Sequence, residues 1–512
     1  MYIEPNTSIK LLKNVPLDNN YTNTLFFNSV SEQTSYFTSK AKHNLMKQTY
    51  QRVNRGIARV QLSADKCYDC NYMMFQNTSY GSKWFYAFIT NVEYVNNEVC
   101  EIKFEIDVMQ SWFYECTLKQ CFVEREHIES DVIGANLVEE NLELGEYVAD
   151  DFDGTGHAKK KIVVAATFNE SYEETDGSLY CGIFSGAYYN VFDTSNDGIT
   201  ELVAFLNGAY SKGKAEEIIA IFYVPADFVT DRLGSVVSYD LVKEKAYANI
   251  DGYVPKNKKL FTYPYNFLYV SNLQGNECAY RYEFFTDESC NFIMTGTMSS
   301  DSALLIAPKN YKGVPVNYDE KMALTGYPQC TYNVDTFKQW LAQSAISLPL
   351  GIVSSSLSTY AGFNNVANMS EGRQFTGEIN AINNGLNNTF NSVSQMYQKA
   401  IAPSQSKGSA GNSAMLALGL LDFAFMHKHI TQEFAMIIDN YFNMYGYATH
   451  RVKIPNISSR PHWNYVKTNN CTIVGSAPSE DIKQMCNIFN NGITFWKNGD
   501  EVGNYDLDNS PE

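Results

Sequence analysis

Charge is scarce in this chain, and positive charge is scarcer than negative. Of 512 residues 19% are charged, with 39 Lys and Arg against 56 Asp and Glu, a formal net charge of −17. That balance withholds the counter-charge that tight nucleic-acid binding requires. It fits an ordinary acidic surface, or one that must not stick to a polyanion sliding past it. Trp is rare at 5 residues, whereas 36 Tyr and 31 Phe favour pleated, half-buried surfaces and hence sheet. The opening residues 1–5 have neither the basic start nor the apolar core of a secretory signal, so reduced thiols are expected.

The motifs of enzymes are missing as well. The sequence contains no G-x-S-x-G elbow, no phosphate loop ending in Gly-Lys-Ser/Thr, no G-x-G-x-x-G between a strand and a helix, and no H-E-x-x-H. Gly154-Thr155-Gly156-His157 resembles part of a dinucleotide loop but lacks the third Gly and the apolar helix after it. Of 11 Cys, only Cys67 and Cys70 form a C-x-x-C, and a zinc ribbon would need a second pair. No catalytic residue, metal site or cofactor is assigned.

What is present is mostly strand, and 45% hydrophobic content over this length supports two to four folded domains. Residues 84–95 run into the turn pair Asn96-Asn97. A second strand follows with Cys100, Ile102, Phe104, Ile106 and Val108 on one face and Glu101, Lys103, Glu105 and Asp107 on the other. Acids accumulate over 128–155, where a domain junction is expected, and residues 162–166 form a buried strand. The cluster Lys256-Asn257-Lys258-Lys259 reads as a solvated loop. Residues 433–445 form an amphipathic helix with Phe434, Ile437, Ile438, Tyr441, Phe442 and Tyr445 on one face and Gly446 ending it. A strand over 448–454, a helix opening at Pro478 and closing at Gly492, and a strand over 493–496 complete the C-terminal block.

One segment departs from all of this. Residues 339–425 hold only six charges, Glu371, Arg373, Glu378, Lys399, Lys407 and Asp422, where the chain's average density would place about 16. Two apolar runs lie near its ends, 341–353 and 414–425. Neither reaches the ~20 continuous apolar residues of a constitutive membrane span. Such composition suits a conditional insertion element, apolar enough for lipid and polar enough to stay soluble when sheltered. The competing readings are a helical hairpin packed on its own protein and a flexible loop. The membrane-active candidates are Ile346, Leu348, Leu350, Ile352, Val353, Leu357, Phe363, Met415, Leu416, Leu418, Leu420, Leu421, Phe423 and Phe425. His427 and His429, at the downstream base, invite a pH argument but read first as a solvated hinge.

Two further blocks carry a resemblance. One runs from Tyr72-Met73-Met74-Phe75-Gln76-Asn77 through Tyr80-Gly81-Ser82-Lys83-Trp84-Phe85-Tyr86 and Phe104-Glu105-Ile106-Asp107-Val108 to Arg125-Glu126-His127. The other comprises Tyr445-Gly446-Tyr447, Arg451-Val452-Lys453-Ile454-Pro455-Asn456, Asn464-Tyr465-Val466-Lys467-Thr468 and Ile488-Phe489-Asn490-Asn491-Gly492-Ile493-Thr494-Phe495-Trp496. In these blocks the chain resembles the tail knob, or distal tail tube, proteins of phi29-like short-tailed bacteriophages (podoviruses).

The resemblance implies an α+β, mainly β fold. A tail-tube β-barrel-type domain would be built from 1–130 and 429–512, with an inserted middle domain over 131–335 and a long neutral, apolar loop over 336–428. It also implies a homo-oligomer, a hexameric ring at the distal end of the virion tail. The ring would conduct DNA without sequence-specific binding, and the loops would plug the tube and later form a pore in the host membrane for genome ejection. An upstream tail tube or connector protein and a tail-tip cell-wall-degrading protein are the expected partners. The alternatives are a purely structural tube or hub with a passive plug, and a receptor-binding or cell-wall-degrading tail tip.

Overall fold

The computed structural model describes residues 6–511 except 49–55, 78–80, 155–159, 174–178, 181–182, 185–187, 230–235, 274, 299–302, 313–320, 326–328 and 331–421. The chain divides into two compact units. The first comprises 1–145, 252–260 and 432–512; the second comprises 146–251 and 261–431. Strands dominate both, with a few helices packed on them.

The first unit holds a six-stranded antiparallel sheet in the order Ala41–Gln48, Thr7–Leu12, Tyr72–Asn77, Trp84–Asn96, Val99–Ile106, Ile57–Val60. Strict alternation gives each face its own core, because successive side chains point to opposite sides. Leu11, Met73, Phe75, Ala87, Cys100, Ile102 and Phe104 fill one core. Leu12, Tyr72, Met74, Tyr86 and Phe88 fill the other, with Phe37, Trp463 and Trp496. The sheet curls until its two edge strands approach, where the Gln61 amide donates to Gln48 Oε1 at 3.2 Å.

A five-stranded sheet interleaves the two ends of the chain: Asn23–Leu25, Ile493–Trp496, Trp463–Asn469, Cys121–Glu126, Tyr447–Lys453. Asn23–Leu25 runs parallel to Ile493–Trp496, and the other pairings are antiparallel. Gly446 ends the preceding helix with φ +64, and a Cβ there would lie 2.1 Å from the Glu126 carbonyl oxygen, so only glycine fits.

Several expectations shift in detail. The second hairpin strand stops at Ile106, because Asp107 caps a short helix, Val108–Trp112, by accepting from the Gln110 amide. Asp107 is therefore buried rather than wet. Burial pushes its carboxyl up to about 6 against the Gln110 and Tyr72 hydrogen bonds that pull it down. The helix Gln432–Tyr445 buries Ala435, Ile438, Asp439, Phe442 and Asn443, leaving Ile437 56% exposed.

The reason for that rotation is a buried carboxylate. Asp439 accepts from Tyr253 Oη at 2.6 Å, the Lys256 amide at 2.8 Å, and the Asn257 amide and Nδ2, each at 2.9 Å. Residues 252–260 are thereby tied into the first unit. Lys259 extends the tie with Nζ 2.7 Å from both Glu140 Oε1 and the Val138 carbonyl, and the Lys258 amide donates to Asp131 at 2.8 Å. Asn257 and Lys259 are buried, so this cluster is an anchor and not the solvated loop expected. The same ties to Asp131 and Glu140 move the junction from 130 to 145.

The second unit contains three four-stranded antiparallel sheets. Their orders are Tyr147–Asp153, Ala424–Ile430, Asn266–Ser271, Glu277–Tyr280; Tyr188–Asp193, Lys160–Ala166, Ile218–Pro225, Gln329–Cys330; and Val236–Lys243, Cys290–Thr297, Ala303–Pro308, Met322–Thr325. The helix Asn196–Ser211 covers one face of the second sheet through Leu202, Phe205, Leu206 and Ala209 against Ile162, Val164 and Ala166. A larger core on the other side joins Phe222, Leu268, Val270, Phe292 and Ile306.

Replacing Asp439 tests the anchor. Asp439→Ala leaves several buried donors without an acceptor, each costing about 1–3 kcal/mol, so a loss of roughly 3 kcal/mol is expected. The first unit should unfold at lower urea concentration; an unchanged transition contradicts the assignment.

Candidate functional site

The charge-poor segment leaves the second unit and returns to it at two strands. Upstream, Gln329–Cys330 adds to the edge of a sheet, with Gln329 opposite Phe222 and Cys330 opposite Ile221. Downstream, Ala424–Ile430 lies inside another sheet, between Tyr147–Asp153 and Asn266–Ser271. The downstream root is the firmer one, because both of its edges carry ladder hydrogen bonds.

Twelve of the fourteen candidate membrane-active residues, Ile346 to Leu421, lie outside the described residues. The other two are placed. Phe423 and Phe425 are 0% and 1% exposed within the main core of the second unit. Phe425 meets Phe292 edge to face at 5.3 Å, and Lys243 Nζ sits 4.7 Å over its ring. Both therefore belong to the anchor, and the expected loop boundary at 428 moves back to 423. The alternation of Phe423, Phe425, His427 and His429 was the available signal, hidden by the apolar run before it.

The two histidines stand on this strand and form no solvated hinge. His427 Nδ1 faces the Tyr282 hydroxyl. His429, 4% exposed, points Nε2 at Asp150 Oδ2 and Nδ1 at the Ile430 carbonyl, both at 2.9 Å. Both partners only accept, so the ring satisfies them together only as imidazolium. Burial opposes that charge, but the Asp150 carboxylate and the carbonyl outweigh it and hold the His429 pKa above its ordinary 6.5. His429 in turn holds Asp150 below 3.8. Asp150 had registered only as one acid among many near the junction.

Among the described residues no group of three His, Cys, Asp or Glu side chains is arranged to hold a metal ion. Cys67 packs 3.6 Å from Cys100 inside a core, and burial pushes its thiol up to about 12. Among the described residues no helix is long and apolar enough to cross a membrane.

The His429–Asp150 pair sets a pH dependence. The imidazolium's contribution is complete below 6.5 and is lost as pH rises through the raised folded value. The contribution of Asp150 is complete above 3.8 and is lost as pH falls through its lowered folded value. The pair is at full strength between those limits. His429→Gln should lower the thermal midpoint of the second unit at about pH 5.5 and far less at about pH 9. Equal losses at both pH values contradict the charged pair.

Comparison with known proteins supplies the context for this geometry. The chain is 26% identical to tail knob protein gp9 of Bacillus phage phi29 and 25% identical to that of Bacillus phage B103, in each case over 98% of both chains. The structure of the bacteriophage C1 tail knob protein gp12 is similar in fold. Its TM-score is 0.65 at 16% identity, covering 97% of this chain and 98% of that one. Residues 5–117 match the family of the caudoviral major tail protein N-terminus. Residues 235–510, more than half of the chain, match the family of the C-terminal domain of phi29 tail knob protein gp9, so the chain belongs to the gp9 tail knob family.

Proposed function

We propose that copies of this chain form a ring at the distal end of a phage tail, and that residues 339–421 plug the ring before entering the host membrane as a pore for DNA. The coarser assignment, a structural protein of the virion tail, follows from membership of the gp9 family. One observation carries the finer reading: a segment almost empty of charge is held at both ends by strands of a folded unit. A tethered apolar segment can leave shelter without unfolding its base. In lipid its backbone must form helix or closed strand pairing, and its Ala, Ser and Gly residues permit close helix contacts. An acidic chain at −17 gives passing DNA little to adhere to.

The test is dye release from bacterial-lipid vesicles by the full chain and by a variant whose residues 339–421 are replaced with a Gly/Ser linker. The replacement must stop at 421, because Phe423 and Phe425 belong to the core. Release by the intact protein alone, with both proteins of ring mass, is the expected result. Equal release by both contradicts a role for the segment, and no release by either ring across a range of pH leaves it a passive plug.

A further inference from the structure

We propose that two unpaired strand edges of the first unit join neighbouring copies head to tail, Tyr447–Lys453 of one copy running beside residues 90–96 of the next. The inference rests on the ring reading above and adds the surfaces that build the ring.

The first edge belongs to Tyr447–Lys453, the outermost strand of the five-stranded sheet, which is paired only with Cys121–Glu126. A bulge at His450, with φ +46, re-aims the strand. Beyond it Val452 is 69% exposed and lies directly opposite Phe122, itself 37% exposed, so the two share one open face. Ile454 adds to the patch at 54%. Arg451 is exposed and has no ionic partner among the described residues.

The second edge belongs to the long hairpin strand Trp84–Asn96. Its partner Tyr72–Asn77 pairs only as far as Phe88, while Val99–Ile106 covers the other side from Ala87 to Asn96. Residues 90–96 therefore have one bare side among the described residues. Tyr94 and Val95 are 62% and 41% exposed there. At the hairpin tip Glu93 pairs with Lys103 and Glu101 with Arg59, which leaves the exposed Glu98 as the acid with no ionic partner there among the described residues.

Edge strands carrying exposed apolar side chains are templates for pairing, and proteins that keep them bare invite aggregation. Both edges are apolar; Lys453 is paired with Glu126 on the first, so the charges without ionic partners among the described residues are Arg451 on one edge and Glu98 beside the other. Pairing like edges brings two copies of Arg451 or two of Glu98 near one another, whereas pairing unlike edges brings opposite charges together. Pairing unlike edges is heterologous, and a heterologous contact closes into a ring or extends into a filament. Of the two outcomes, the ring is the one the proposed function needs.

The experiment uses the full chain with p-benzoylphenylalanine in place of Val452. Irradiation of the assembled protein should cross-link it to a peptide within residues 84–103 of a second copy, read by mass spectrometry. In parallel, Val452→Glu and Val95→Lys each place a like charge against the opposing edge. Each should reduce the ring to single-chain mass by light scattering without moving the thermal midpoint, and the double variant should restore ring mass. A ring that survives both substitutions, or a cross-link only to other peptides, overturns this interface and leaves the ring standing. A wild-type chain that stays single at every concentration overturns the ring reading and this inference with it.

Discussion

The strand Cys121–Glu126 can complete its ladder only between Tyr447–Lys453 and Trp463–Asn469, two strands more than three hundred residues away in sequence. Buried backbone groups must be paired, so the first unit cannot close its sheet until the far end of the chain has arrived. The aromatic core enforces the same order. Phe37, Tyr72 and Tyr86 share a cluster with Trp463 and Trp496, so neither half buries its apolar faces alone. The stretch 252–260, held by Asp439 and Glu140, joins the same unit from the middle of the chain.

That constraint bears on the charge-poor segment. A long neutral insertion in a marginal fold would be a hazard, since a released apolar run competes with the core for partners. Here the strand after it is central in its sheet, with Phe423 and Phe425 sunk in the core and His429 locked to Asp150. The downstream root is therefore fixed in the second unit, as the proposed release of the segment requires. Anchoring and apolar character are separate properties, and they meet at Asp422, where the uncharged run gives way to alternation.

Much of the architecture was legible in the sequence where periodicity was strong. The hairpin 84–96 and 99–106 followed from strict alternation around Asn96-Asn97, and the helices 432–445 and 479–491 from apolar spacing and the glycines that follow them. What escaped was decided by single polar contacts. Asp107 looked like one more wet-face acid until its capping bond to Gln110 showed why the strand ends. Ile437 looked buried because nothing local reveals that Asp439, two positions on, turns the helix to receive residues 253–257. The roots of the candidate site were missed for a related reason: Phe423 and Phe425 continue an apolar run, and only their pairing across Asn266–Ser271 separates core from loop.

The proposed pore requires that the charge-poor segment itself enter lipid. Labelling with a membrane-confined carbene reagent, followed by peptide mapping of the full chain bound to bacterial-lipid vesicles, measures this directly. Label concentrated within residues 341–421, with strand 424–430 unlabelled, is the predicted result. Label absent from that segment while other regions react would contradict the account.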